Sequence, residues 1–527
     1  MLVPMNVNRF LNRTAKLYSN KIAVIDQDMS YTYQEMHDRV QRLTRALKGI
    51  GIKPGDRVAW LGYNNHPLLE AYFGVVQYGA ILVPLNIRLA VSDLTRIVED
   101  CVPKALVFDS DFESTARRLA EVNPDMQLIE IQIEGSHPGY RGYEALLREA
   151  PEPSVVADYP EVDENAVAEI FYTSGTTGVP KGVGLTYRNL FMNAMQILVA
   201  SDVRDDSVIL HTIPLFHVNG WGTPHYITAV GGTHVMLRRF LPDLVLSLIE
   251  KHRVTHASLV PTMANFLNSA AEQHAYDLSS LRKLTFGGAP SPSSFVQTTM
   301  DHLGGEYVGG YGLSETSPIV SIATIKSTLA GQDERTLNRY RGTAGMPTIG
   351  MEVAIVDEND HEMAWDGVAV GELRVRGDVV MAGYWNKPDE TAKAIRGGWF
   401  YTGDMATIDP EGYIRIVDRK KDIIISGGEN ISSVELEDVL YRHPAVFECC
   451  VIGVPDPKWG EIPKAVVVLK PGATADAEEL MTFVNQNVSA FKAIKAIAFA
   501  DELPKTGTGK IQKMAVRKDY GAGWYQD

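Results

Sequence analysis

A segment rich in glycine and hydroxyl side chains carries the first recognisable chemistry. Residues 172–183 read YTSGTTGVPKGV and contain three glycines and one lysine, Lys181. Glycine lets backbone N–H groups approach an anion closely, hydroxyls donate to phosphate oxygens, and the lysine adds a positive charge. Residues 166–171, AVAEIF, are mostly apolar and predict a buried strand, so the segment begins at a strand end. We interpret it as a loop that holds a polyphosphate.

This loop differs from the common nucleotide-binding P-loop. That motif needs glycine, four residues and then Gly-Lys-Ser/Thr, and it opens directly into a helix. Here Gly178 lies three residues before Lys181, and residues 182–186 predict another short strand. Taken alone, the segment is also compatible with a mobile surface turn, so the functional interpretation depends on the rest of the chain.

Five further stretches accompany the loop. They are PLFH at 214–217, GGAP at 287–290, YGLSET at 311–316, YTGD at 401–404 with Asp418 and Arg419, and PKTGTGK at 504–510. Their order and content resemble the superfamily of acyl-adenylate-forming enzymes: acyl-CoA synthetases, adenylation domains of peptide synthetases, and luciferases. One such motif is weak evidence, whereas six in the family's order over nearly the whole chain are specific.

The resemblance implies an ATP site. Its members, by their numbers here, are Thr173, Ser174, Gly175, Thr176, Thr177, Gly178 and Lys181 at the β- and γ-phosphates, Gly288 and Ala289 beside the base, Tyr311 and Gly312 at adenine, Asp404 at the ribose hydroxyls, and Arg419 at the ribose or a phosphate. An ionised carboxylate has two acceptor oxygens for two adjacent hydroxyls. The glycines flanking Tyr311 favour an exposed ring with room for a flat ligand. A core tyrosine and a turn aspartate are the structural alternatives.

Three residues carry the implied catalysis. Lys510 resembles the lysine that reaches between the substrate carboxylate and the α-phosphate, where it offsets the repulsion of two anions. Glu315 resembles the carboxylate associated with Mg²⁺, a hard cation that takes few protein ligands when it bridges phosphates. Ser314 keeps a hydroxyl where the family more often has threonine. The structural alternative for Lys510 is a basic tail with Lys505, Lys513, Arg517 and Lys518, and we prefer that alternative for the outer members.

The charged run at residues 418–422 resembles the interdomain hinge of the family, with Lys421 at the pivot. The resemblance implies that the small domain rotates there after adenylation. Gly427 and Gly428 then line a tunnel for the pantetheine arm of CoA. Residues 432–435 have the spacing of a capping box and predict a helix start.

Local motifs narrow the choice within the superfamily. Adenylation domains for amino acids usually carry an aspartate near the position of Phe216-His217, and luciferases tend to carry a lysine at Ile425; neither is present. The sequence FHVNGW at 216–221 resembles the fatty-acyl-CoA synthetases, in which His217 and Trp221 would gate the acyl tunnel. We therefore predict a medium- or long-chain fatty-acyl-CoA synthetase. A ligase for a short, sulfur-containing or aromatic acid, or a stand-alone adenylating enzyme, is the alternative.

Composition restricts the partners. The 527 residues are 45% hydrophobic and 22% charged, with a formal net charge of −15, so nucleic acid is not an expected partner. Three cysteines fit no disulfide framework or metal motif, no signal peptide or integral membrane segment is predicted, and a cytoplasmic location follows as an expectation. The expected partners are a small carboxylic acid, ATP and CoA, with Mg²⁺ as cofactor. Fatty-acyl-CoA synthetases also imply a homodimer.

Alternating helices and short apolar strands predict the positions of these motifs. Strands at 57–61, 80–84, 104–108, 207–211, 233–237, 255–260 and 284–286 alternate with helices, which is typical of parallel sheets wrapped by helices. Period-two patterns at 351–356, 371–376 and 412–417 predict a small antiparallel region. Residues 135–163 are polar and proline-rich and are interpreted as a connection.

We therefore predict a mixed α/β protein with two domains. A large N-terminal domain of helix-wrapped sheets spans 1–418 and includes the small β region at about 342–418. A hinge follows at 419–422. A small mobile α+β domain at 423–527 carries Lys510.

Overall fold

The computed structural model describes residues 3–132, 137–151, 162–174, 180–288, 291–427, 429–505 and 511–521. It confirms the mixed α/β class, with sheets and helices in a large N-terminal part and a smaller C-terminal part. No helix among these residues is both long and apolar enough to cross a membrane.

The first sheet positions the GGAP and YGLSET motifs. Within the described part of the chain it has nine strands, in the spatial order Met346–Pro347, Ile319–Ile322, Glu306–Gly312, Lys283–Phe286, His256–Leu259, Val208–Leu210, Thr233–Val235, Ile22–Asp26 and Met29–Thr32. The central pairs are parallel and the pairs at both edges are antiparallel. Both motifs follow the carboxyl ends of parallel strands, where α/β sheets bind ligands.

The second sheet positions the polyphosphate loop. Its eight strands among the described residues run in the order Gly383–Tyr384, Pro180–Thr186, Val167–Ser174, Ile81–Pro84, Arg57–Leu61, Ala105–Asp109, Gln127–Ile131 and Arg141–Gly142. The predicted strand at 57–61 is confirmed at the same residues. The helix His66–Gln77 is buried along its whole length and leads towards the strand Ile81–Pro84. Apolar residues predominate on all sides of this helix, as expected for a buried helix.

Helices surround these sheets. In chain order they are Asn8–Leu17, Tyr33–Gly49, His66–Gln77, Val91–Cys101, Glu113–Val122, Tyr143–Arg148, Tyr187–Ala200, Val218–Trp221, Thr223–Val230, Pro242–His252, Pro261–Gln273, Ser293–Leu303, Glu334–Arg341, Pro388–Ala394, Ser433–Leu440, Ala477–Asn485 and Lys513–Tyr520. Several begin at side-chain caps. Thr32 accepts a hydrogen bond from the amide of Glu35 and completes a capping box with it. Ser432 caps the helix that the sequence predicts, but the reciprocal bond of a capping box is not formed there.

Two further sheets lie on either side of the charged run. The strands Glu352–Val356, Gly371–Arg376, Ile395–Arg396, Trp399–Ile408 and Ile414–Arg419 form the predicted antiparallel region. The strands Ile424–Ser426, Glu429–Ile431, Val446–Asp456, Gly460–Leu469 and Ala496–Phe499 form a separate sheet with its own apolar clusters. The hinge predicted at 419–422 lies between these two sheets.

The prediction for residues 135–163 is wrong in part. The short strand Arg141–Gly142 and the helix Tyr143–Arg148 lie within this segment. Tyr143, Leu146 and Leu147 are buried in the main core, and the Tyr143 hydroxyl donates to Glu70 at 2.6 Å. Six residues carry too short a pattern to reveal a helix amid polar neighbours.

The basic C-terminal tail also differs from its interpretation as a solvated face. Lys513 lies 2.9 Å from a Glu437 oxygen and donates to the Ser433 hydroxyl, which in turn donates to Asp418. Burial opposes the charge of Lys513, but Glu437 and Asp418 outweigh it and raise the pKa of Lys513. Arg517 pairs with Asp422 at 2.7 Å. The helix Lys513–Tyr520 is therefore tied to both ends of the predicted hinge.

Replacing Lys513 with methionine should destabilise the small C-terminal part by about 3 kcal/mol, because the carboxylate of Glu437 would keep its burial and lose its partner. Urea unfolding followed by circular dichroism measures this as a lower midpoint of the first transition. Lys518→Met is the matched control, since Lys518 lies exposed on the same helix. Equal midpoints for the two variants would contradict the role given to Lys513.

Candidate active site

The polyphosphate loop joins two antiparallel strands. Thr173 pairs with Lys181 across the strands Val167–Ser174 and Pro180–Thr186. A hairpin differs from the strand–loop–helix arrangement of a P-loop, as the sequence predicts. Gly175, Thr176, Thr177 and Gly178 lie outside the described residues, as does the side chain of Ser174.

Lys181 and Glu315 meet at one tyrosine that the sequence analysis missed. The Tyr384 hydroxyl donates to a Glu315 oxygen at 2.9 Å, and the Lys181 ammonium lies 5.4 Å from the centre of the Tyr384 ring. Lys181 also forms an ion pair with Glu390 at 2.7 Å. The strand Gly383–Tyr384 pairs with the second strand of the hairpin and so brings Tyr384 beside the loop. A positive charge and a carboxylate thus flank the predicted phosphate position.

The surroundings of Glu315 fit one mode of Mg²⁺ binding. No group of three or more metal-ligating side chains exists among the described residues. Mg²⁺ in phosphoryl-transfer sites usually keeps several waters and takes one or two carboxylates plus substrate phosphates. A single glutamate beside the phosphate loop matches that chemistry, whereas a dedicated protein cage is not formed here.

Asp404 lies at the centre of the predicted ribose site. Its carboxylate is buried, lies 2.7 Å from Arg419 Nε, and accepts a hydrogen bond from the Tyr311 hydroxyl. Asp404 and Arg419 face each other on paired strands. Burial and the neighbouring carboxylate of Asp404 raise the pKa of Tyr311. The structure therefore brings together three residues that are distant in sequence and were each assigned to the nucleoside.

The strand Glu306–Gly312 shows why this site needs glycine. A Cβ atom at Gly312 would lie 1.6 Å from the Pro318 carbonyl oxygen, and one at Gly309 would lie 2.3 Å from that of Thr343. The Tyr311 ring is half-buried rather than freely exposed, because its hydroxyl is held by Asp404. Ser314 is buried beside this strand, Gly288 has a positive φ of 91°, and Ala289 lies outside the described residues.

Trp221 lies directly over the glycine that opens the GGAP motif. A Cβ atom at Gly287 would lie 2.8 Å from the indole Cη2 atom, so only glycine leaves room for the ring. His217 is half-buried at the start of the same short turn. The two residues assigned to an acyl gate therefore lie near the predicted adenine turn.

A cavity of about 50 Å³ extends along the first sheet below Trp221. Side chains of a strand alternate between two faces, so Lys283, Thr285 and position 287 share one face while Leu284 and Phe286 enter a separate core. Register places His256 and Glu306 beside Lys283 at the lower end. The lining residues include Ile197, Ser201, Ile209, Trp221, His256, Ser258, Lys283, Thr285, Val308 and Ile322.

The lower end of this cavity is polar. Asp202 lies 3.2 Å from His256 and 3.3 Å from Lys283, and Lys283 also lies 3.5 Å from Glu306. The buried Ser201 hydroxyl has no hydrogen-bond partner within the part of the chain that the structure describes. Gly287 lies four positions after Lys283, which corresponds to about 13 Å of extended chain.

The residues assigned to the hinge and to CoA lie around the fourth sheet. Lys421 is exposed in a turn in which the Asp422 amide donates to the Arg419 carbonyl. Gly427 has a φ of 61° and packs against Trp459, which a side chain at this position would displace. Gly428 and Lys510 lie outside the described residues.

Glu169 is a buried acid that the sequence analysis passed over. It lies within the apolar strand that precedes the polyphosphate loop, and a charged residue in such a run is the signal that identifies it. Its side chain is fully buried and accepts a hydrogen bond from Asn219 Nδ2 at 3.0 Å. Burial raises the pKa of Glu169 to about 8.

Comparison with known proteins identifies the family of this chain. The profile of the AMP-binding enzymes matches residues 11–385, and that of the AMP-binding enzyme C-terminal domain matches residues 435–510. A feruloyl-CoA synthase of Amycolatopsis sp is 38% identical over 510 residues, which is 97% of this chain and 98% of that protein. A long-chain-fatty-acid–CoA ligase of Thermus thermophilus is 35% identical over 98% of this chain and 96% of its own.

A solved structure agrees over a similar extent. The amide bond synthetase McbA from Marinactinospora thermotolerans superposes with a TM-score of 0.86 and 30% identity, covering 98% of this chain and 99% of its own. The chain therefore belongs to the AMP-binding enzyme family, within its group of AMP-forming carboxylate–CoA ligases.

Proposed function

We propose that this ligase acts in two half-reactions at the site built around Asp404, Tyr311 and Glu315. In the first, a substrate carboxylate oxygen attacks the α-phosphorus of ATP; an acyl–phosphate bond forms and pyrophosphate leaves. In the second, the CoA sulfur attacks the acyl carbon; the thiol loses its proton and AMP leaves. The observation that carries the proposal is the convergence of Arg419 and Tyr311 on the buried carboxylate of Asp404.

Each group has a defined part in the first half-reaction. Asp404 accepts the two ribose hydroxyls, Lys181 exchanges its ion pair with Glu390 for the terminal phosphates, and Tyr384 orients Glu315. Glu315 would hold Mg²⁺, whose charge offsets that of the phosphates. Lys510 stabilises charge where the carboxylate meets the α-phosphate.

We further propose that the acid lies in the cavity below Trp221. Two acid classes are candidates. The FHVNGW motif favours a medium- or long-chain fatty acid. The polar lower end of the cavity, lined by His256, Lys283 and a Ser201 hydroxyl without a hydrogen-bond partner among the described residues, favours an aromatic acid with a distal polar group. The similarity to a feruloyl-CoA synthase supports the second class.

The two half-reactions also require the N-terminal and C-terminal parts of the chain to move relative to each other. We propose that residues 1–418 bind ATP and the acid, that 419–422 act as the hinge with Lys421 at the pivot, and that 423–527 present Lys510 first and the Gly427-Gly428 loop second. The separate apolar clusters on the two sides of this boundary support independent movement.

The test is CoA-dependent AMP release from MgATP over a panel of acids. Straight-chain acids from acetate to palmitate are compared with benzoate and with cinnamates with and without a 4-hydroxyl. We expect thioester formation, with the highest kcat/KM on a hydroxylated aromatic acid. A maximum at one alkyl chain length would favour the fatty acids instead. AMP release that is independent of CoA would contradict the ligase proposal and favour a stand-alone adenylating enzyme, as the likeness to an amide bond synthetase allows.

A further inference from the structure

The turn that carries Trp221 has an unusual backbone. Five consecutive residues have positive φ angles: Val218 at 42°, Asn219 at 42°, Gly220 at 56°, Trp221 at 63° and Gly222 at 84°. Left-handed backbone is unfavourable for a residue with a Cβ atom, because the Cβ comes too close to the following carbonyl oxygen. A left-handed turn that includes a valine and a tryptophan therefore persists only where surrounding contacts determine it.

Local hydrogen bonds close this turn, and Thr223 Oγ1 donates to the Gly220 carbonyl at 3.2 Å. The Gly220 amide donates to the His217 carbonyl and the Gly222 amide to the Asn219 carbonyl, both at 3.1 Å. The side chain of Asn219 adds a contact from outside the turn, because its Nδ2 atom donates to Glu169 Oε2 at 3.0 Å. Asn219 and Glu169 are both fully buried, so water cannot replace this bond.

The side chain of Glu169 is uncharged at neutral pH in this environment. Its pKa is raised to about 8 by burial, so the carboxyl is protonated at neutral pH. The nearest basic group is His225, whose Nε2 atom lies 3.5 Å from Glu169 Oε1. Burial lowers the pKa of His225 to about 3. Two neutral polar groups therefore face each other behind the turn.

The position of Trp221 gives this arrangement a consequence for the substrate. The indole lies against Gly287 at the upper end of the acid cavity, and it is part of the cavity lining. Any change in the backbone at Asn219 moves Trp221, two residues further along the chain. The volume open to the acid thus depends on what holds Asn219.

We propose that Glu169 is a positioning residue that fixes the left-handed turn through Asn219 and thereby sets which acids Trp221 admits. This inference rests on the proposed ligase function, because it concerns the acid pocket of that site. A leucine at position 169 would leave the buried Asn219 amide without its acceptor. Glutamine keeps a neutral side chain of the same shape with an acceptor oxygen.

The test compares Glu169→Leu with Glu169→Gln, each in the presence and absence of Trp221→Ala. The readout is the ratio of kcat/KM for a bulky acid to that for a small acid, with the KM for ATP measured alongside. We expect Glu169→Leu to change the ratio at least tenfold with little change in the KM for ATP. Glu169→Gln should retain the wild-type ratio. In the Trp221→Ala background Glu169→Leu should add nothing, since coupled residues act through one element.

Three results would overturn the inference. They are an unchanged acid ratio in Glu169→Leu, the same change with and without Trp221, and loss of the wild-type ratio in Glu169→Gln. Asn219→Ala removes the same hydrogen bond from the other side and replaces Glu169→Leu if that variant does not fold. Failure of the wild-type protein to form a thioester with any acid would instead refute the proposed function, so the two failures are distinguishable.

Discussion

Replacing Asp404 with asparagine should raise the KM for ATP by about two to three orders of magnitude. A carboxylate can accept a strong hydrogen bond from each ribose hydroxyl, whereas the amide offers one oxygen and turns a donor towards the other hydroxyl. Hydrogen bonds to charged groups contribute about 1.5–3 kcal/mol each, so losing one and weakening another costs roughly 3–4 kcal/mol. Arg419 would also lose the carboxylate that now lies 2.7 Å away.

Initial rates of pyrophosphate release against ATP concentration measure this effect. Asp28→Asn is the control for the loss of one negative charge, because Asp28 is exposed in a turn and is distant from Asp404 in the sequence. Tyr311→Phe tests the ring without its hydroxyl. It should raise the KM for ATP by less than tenfold, since the ring is kept while the bond from the hydroxyl to Asp404 is lost. An unchanged KM in Asp404→Asn would remove Asp404 from the nucleoside site.

Local patterns explain why much of this site is predictable from the sequence. The hairpin around Lys181, the capped helix after Thr32 and the strand at 57–61 depend on neighbouring residues alone. The glycines around Tyr311 are also recognisable in the sequence, but the sequence reveals only part of the reason why glycine is needed there. Gly312 leaves room for the Pro318 carbonyl, a contact within the protein, and not only for a flat ligand.

Contacts between distant residues account for what the sequence does not predict. Tyr384 reaches Glu315 because a two-residue strand pairs with the hairpin, and no pattern marks so short a strand. Lys513 belongs to a basic tail in the sequence, yet it is held by Glu437 and Ser433, some 80 residues away. Glu169 was visible as a lone acid in an apolar strand, but its partner Asn219 is not.

Lys510→Ala should lower the rate of acyl-adenylate formation by at least about a hundredfold while leaving thioester formation from supplied acyl-AMP within a few-fold of wild type. Lys510 lies outside the described residues, so the prediction rests on the PKTGTGK motif and on the family to which the chain belongs. Two anions approach each other only in the first half-reaction, and removing one group that stabilises such charge typically costs 10²–10³ in rate.

The two half-reactions can be measured separately. Pyrophosphate release with acid and ATP reports the first, and AMP release from synthetic acyl-AMP plus CoA reports the second. Lys518→Ala is the matched control, since Lys518 is exposed on the helix that follows and should leave both rates unchanged. Equal losses in both half-reactions of Lys510→Ala would mean that this lysine supports the folded site throughout the cycle. The hinge movement proposed for residues 419–422 would then have no chemical reason, because Lys510 would not need to leave the site before CoA enters.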